Sequence, residues 1–381
     1  MASNYQFNRN RFFIYPVAGN NGGTPGSFFN FTKYLFVHPS GTVGVPGEWN
    51  EPYPSIEAAE VDANPGDVIY IFCGPYTVAT GARLIDVNYV ALAGPVEVTG
   101  TNEVIAAVNA GEYKFYGEFQ FIGSGAAPVI SVTNAGAIMD VDIAYLENDG
   151  DDLLDLQEGS GEIRAEFAAI ANGGVCRAIN ADYHIEIFAA DGSTNSQFII
   201  TDVNTNLYIK SDTVIMEDFV INRANRANVP AANVEVEIRR AFSDTQQCIN
   251  HTENFELIIR NGTWQSGRSD RGVLNMIGTD FGSSVYLYNT NLYNPEIGAT
   301  ANAIRYHNFG GPNRDVYIDG SCTLEVADIG AGSIADSGGL SEIYFLVNPK
   351  ANAGISGTVN NNIAGTTLIV DSNVLVFPTI E

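Results

Sequence analysis

Three sets of side chains in this chain carry residue types and spacings that could do chemistry. The densest is acidic: Glu147-Asn148-Asp149-Gly150-Asp151-Asp152, followed by Asp155, Glu158 and Glu162. Oxygen-rich loops bearing a glycine hold calcium, so Asp149, Asp151 and Asp152 are candidate metal ligands and calcium the candidate ion. The run lacks the glycine and distal glutamate spacing of an EF-hand, and a solvated connection between two structural units is the competing reading. Paired carboxylates form the second set. Glycoside hydrolysis uses two carboxyl groups roughly 5–10 Å apart across a groove. Asp140 or Asp142 with Glu162 or Glu166 meets that need if residues 20 to 25 apart stand side by side. A chain with 44 acidic residues also produces such pairs by chance, and no catalytic residue is assigned. The third set is aromatic. Trp264, Tyr286, Tyr288, Tyr293 and Tyr306 fall in neighbouring segments and form a candidate glycan-binding strip, with core or subunit packing as the alternative.

Other chemistries find little footing. His38, His184, His251 and His307 are widely separated, with no HExxH or HxH spacing. Cys73, Cys176, Cys248 and Cys322 form no CxxC pair and no compact framework, so buried free thiols are expected. Gly310-Gly311 and the stretch from Gly330 to Gly339 lack the context of a phosphate loop. With 44 acidic against 18 basic residues the net charge is −26, which argues against nucleic acid or an anionic membrane as partner. No apolar run approaches transmembrane length.

The elements that must position these residues read as short strands. Tyr53–Tyr76, YPSIEAAEVDANPGDVIYIFCGPY, begins with a helix-like run from Pro54 to Ala63 carrying Ile56, Ala59 and Ala63 on one stripe. Asn64-Pro65-Gly66-Asp67 stops it, Val68 to Phe72 follows as a strand, and Gly74-Pro75 closes that strand. Further strands start near Tyr89, Tyr113, Ala137, Glu162, Tyr183 and Leu207, at intervals of 21 to 25 residues. Later ones start near Val234, Phe255, Val285, Asp315 and Ile343, with protruding loops expected at Ile221 to Ala232 and Thr263 to Asp270. Such a period is the size of one coil of a β-solenoid.

With the extended lead-in Phe36-Val37-His38-Pro39-Ser40-Gly41, the Tyr53–Tyr76 segment resembles the N-terminal cap and first coil of the pectate-lyase-like superfamily. The resemblance implies an all-β, single-stranded right-handed parallel β-helix over residues 35–347, with a short N-terminal capping helix. Residues 1–34 then read as an aromatic arm or attachment segment, and 348–381 as a strand-rich C-terminal cap or oligomerisation element, with strands Thr366–Val370 and Val374–Phe377. Lyase members of the superfamily use calcium-binding aspartates and an arginine base, but no local pattern here carries them over. Arg239-Arg240 and Arg260, Arg268 and Arg271 read as ion-pair partners for the acidic surface.

The functional expectation is a bacteriophage virion protein of the tail-spike, fibre or head-decoration kind, serving particle architecture or host glycan binding. Its expected partners are further copies of itself as a homotrimer, other virion proteins and a host surface polysaccharide. Residues 1–23 carry no apolar stretch of signal-peptide length, so assembly in the host cytoplasm is expected, with an extracellular location as the alternative. The competing function is a polysaccharide lyase or glycoside hydrolase acting on surface glycans.

Overall fold

Strict alternation of inward and outward side chains is the local rule that builds this molecule. In Ser160–Ile170, Ile163 and Ala165 point inward while Glu162, Arg164 and Glu166 point outward. The computed structural model describes residues 33–370 except 43–44, 46–47, 101, 124, 126, 202–204, 224–231, 252–254, 279–282, 299–300, 309–313, 329–333, 337–340, 346–349, 352–354 and 358–366. Except for Lys33 and Tyr34, the expected aromatic arm lies outside these residues.

The chain is an all-β parallel solenoid. Among the described residues one sheet has 19 strands and the other 11, and their registered pairings are parallel. The expected strands are present: Val68–Val78, Val87–Gly100, Gly111–Tyr116, Ala137–Asn148, Ser160–Ile170, Asp182–Gly192 and Asn206–Met216. Each long strand bends midway, where two successive residues face outward: Glu166-Phe167, Asp212-Thr213 and Arg239-Arg240. Later coils split at the same corner. There Asn261 (φ 64°) and Gly262 (φ 86°) separate Phe255–Arg260 from Thr263–Ser266. A Cβ on Gly262 would lie 1.8 Å from the Ile238 carbonyl oxygen, so no other residue fits. Thr263–Ser266 is therefore a strand, and the loop expected at Thr263 to Asp270 begins only after Ser266.

In-register stacking makes each inward position a column. Val141, Ile163, Ile185, Ile209, Val236 and Ile259 lie above one another, each almost wholly shielded from solvent. At one end, the rings of Tyr89 and Phe115 stack at 4.5 Å. The helix is shorter than the sequence predicts, Ile56–Glu60. Ser55 caps its start, its Oγ accepting from the Ala58 N–H at 3.1 Å. The Asp67 carboxylate fixes the turn that follows, accepting from the N–H groups of Asn64 and Lys33, each at 2.7 Å. Glu60 ties the helix to a neighbouring coil, accepting from the Tyr89 hydroxyl at 2.6 Å and from Arg83 at 3.2 Å.

Beyond residue 347, Lys350–Ala351, Ile355–Gly357 and Thr367–Val370 continue the parallel pairing. The strand expected at Val374–Phe377 lies outside the described residues. No helix among the described residues is long and apolar enough to cross a membrane.

Candidate functional site

Outward positions also stack, and on the first half of the bent sheet they form three adjacent columns. One alternates in charge along Asp142, Arg164, Glu186, Lys210, Glu237 and Arg260. Glu186 lies 3.5 Å from Arg164 and 3.6 Å from Lys210. The column then reaches Tyr288, over whose ring the Arg260 guanidinium sits at 4.8 Å. A second column runs Asp140, Glu162, His184, Tyr208, Glu235 and Ile258, then Tyr286 and Tyr317. The third contains Asp182, Asn206, Asn233 and Glu256.

Between the second and third columns lies an open groove of about 320 Å³, floored by the starts of four consecutive coils. Tyr208 is its central feature. Its ring meets His184 edge-on at 4.8 Å, and its hydroxyl donates to Glu237 at 3.1 Å. Burial, that hydrogen bond and the negative charges of Glu237, Glu235 and Glu186 all push the phenol's pKa up. The group stays a neutral donor. Asn233 donates to Asn206 at 3.1 Å, leaving an amide pair facing outward beside the ring. The groove thus offers an aromatic surface, amides and carboxylates in repeating rows.

The acidic loop divides between surface and interior. Asp149 is exposed at the corner, whereas Asp152 turns inward, its carboxylate accepting from the Gly174 N–H at 2.6 Å and from Arg177 at 2.7 Å. Burial pushes the Asp152 pKa up to about 6, against the opposing pull of Gly174 and Arg177. Among the described residues, no three His, Cys, Asp or Glu side chains converge as metal ligands.

The five aromatic candidates separate. Trp264 is fully buried, its ring filling the column above Ala241, so the expected surface role is corrected to a packing one. Tyr286 and Tyr288 share the outward face, with Tyr286 stacked on Tyr317 at 4.5 Å. Tyr293 faces outward on the other half of the bent sheet, and Tyr306 lies in the second sheet.

Of the expected carboxylate pairs, one comes together in register. Asp140 stands beside Glu162 in register, and Asp142 beside Arg164. Each carboxylate of the first pair has a protein partner: Asp140 accepts from the Tyr116 hydroxyl, and Glu162 from Arg164, with His184 Nδ1 at 3.4 Å. Four of the five arginines hold acids as expected: Arg239 and Arg240 meet Asp212, Arg260 meets Glu235, and Arg268 meets Asp270, whereas Arg271 donates to the Asp270 backbone carbonyl at 3.2 Å. Cys176, Cys248 and Cys322 are buried free thiols, but Cys73 is exposed.

Sequence reasoning missed His184, Tyr208, Asn206 and Asn233 as one surface. The signal was available in their equivalent places, Asn206 and Asn233 at the first register position of successive strand starts and His184 and Tyr208 at the third. Compared with protein-family models, curated proteins and solved structures, the chain matches none.

Proposed function

We propose that this chain is a structural solenoid whose outward groove binds a glycan, as a phage spike or fibre would present to its host. The groove around Tyr208 carries the reading. Sugars are bound by apolar ring faces set among hydrogen-bonding groups, and the groove pairs Tyr208 and Ile258 with Asn206, Asn233 and carboxylates. Coils repeat at about 4.8 Å along the solenoid axis, close to one sugar unit of an extended polysaccharide. A chain lying along the axis would therefore meet side chains at equivalent positions coil after coil. The virion setting and a homotrimeric assembly draw their support from the resemblance of the Phe36–Tyr76 segment.

Calorimetric titration with purified host surface polysaccharide tests the reading. Tyr208→Ala is expected to weaken binding at least tenfold while leaving the far-ultraviolet spectrum unchanged. Unchanged affinity in that variant would remove the groove from the account.

One observation favours a second reading, a depolymerase. Adjacent coils place Asp140 and Glu162 side by side on strands about 4.8 Å apart, and retaining glycosidases use two carboxyl groups about 5–5.5 Å apart. Reducing ends released from the same polysaccharide, and lost in Glu162→Gln, would replace the purely structural reading with this one.

A further inference from the structure

Taking the groove as a glycan site, its charge selects among glycans. Asp182, Glu235 and Glu256 all line it, and the described lining contains no lysine or arginine. Three acidic side chains therefore face the ligand alongside the neutral Tyr208, Asn206 and Asn233. Two cations on the neighbouring column are engaged: Arg260 bonds Glu235 and covers Tyr288, and Lys210 lies 3.6 Å from Glu186. Glu235 is thus partly neutralised by Arg260, whereas Asp182 and Glu256 are exposed on the outer column.

A polymer carrying carboxylates or sulfates would bring like charge against these acids without gaining a lysine or arginine partner, His184 being the one basic side chain in the described lining. A polymer carrying protonated amines would instead meet a carboxylate at each end of the groove, Asp182 on one coil and Glu256 three coils further, with Glu235 between them. The geometry points to an amino-sugar polymer, with free rather than acetylated amines, as the ligand of this groove. Ring faces would lie on Tyr208 and Ile258, hydroxyls would meet Asn206 and Asn233, and ammonium groups would meet Asp182 and Glu256.

The test compares three oligosaccharides of equal length by calorimetry: a β-1,4-glucosamine oligomer, its fully N-acetylated counterpart, and an oligogalacturonate. The whole chain is used at pH 6 and at two salt concentrations. The amine form is expected to bind at least tenfold more tightly than the acetylated form, and to lose most of that advantage in high salt. Asp182→Asn with Glu256→Gln should abolish the preference. Asp149→Asn with Asp151→Asn removes the same charge away from the groove and should leave it intact.

If the acetylated form binds as tightly, the amine class is overturned while the glycan reading stands. Preference for oligogalacturonate overturns it equally. If both double variants weaken binding alike, the attraction is diffuse and the assignment to the groove fails. Binding of none of the three removes the glycan reading together with the inference.

Discussion

Trp264 and Asp152 show how far a side chain's type can mislead about its role until its direction is known. Both belong to residue types that bind ligands, and both point inward. Trp264 occupies the inward parity of its strand and sits above Ala241, where a small neighbour leaves room for the indole. Trp264→Ala should cost about 3–5 kcal/mol in urea unfolding, and a loss under about 1 kcal/mol would place the ring outside the core. Asp152 gives a pH signature instead. Its folded pKa of about 6 lies above the ordinary 3.8, so its favourable contribution is complete below the unfolded value and declines as pH rises through 6. Asp212 runs the other way: Arg239 lowers it to about 2, and its contribution declines as pH falls toward that value. Between pH 4 and pH 7.5, Asp152→Asn should therefore flatten the fall in unfolding free energy by on the order of 1–3 kcal/mol. Identical slopes in the variant and the parent chain would show that burial does not perturb this carboxyl.

Strands rather than residues explain what the sequence made legible. The long strands were readable because alternation persists over many residues, as in Met139, Val141 and Ile143. The second sheet was not, because strands as short as Ile130–Val132 and Leu154–Leu156 are too brief to show a period. Their mark is a pair of successive buried apolar residues at each entry: Val129-Ile130, Leu153-Leu154, Val175-Cys176 and Cys248-Ile249. That pattern also accounts for two of the buried cysteines. The bend carries the opposite mark, two successive outward residues, and Arg239-Arg240 is one such pair. The groove was illegible for another reason, since its members come from four coils and meet only once register is fixed. The alternating charge column contributes to that register. Glu186→Lys would put three cations on consecutive coils, between Arg164 and Lys210. It should lower stability by about 1 kcal/mol at low salt and by much less at 0.5 M salt. A salt-independent change would show that packing alone sets the pairing there.

At the scale of the whole molecule, a solenoid turns a local alternation into extended faces. Each inward column adds to one continuous core, and each outward column becomes a strip of repeated chemistry. The strip around Tyr208 is where aromatic, amide and acidic side chains of two adjacent columns lie together beside a groove. The central claim is that a glycan binds there, along the axis. Hydroxyl-radical footprinting of the whole chain, with and without its polysaccharide, tests it most directly. The account predicts reduced oxidation of His184, Tyr208 and Ile258 together, with Tyr293 and Trp49 unchanged. Protection at Tyr293 or Trp49 with Tyr208 unaffected would contradict it.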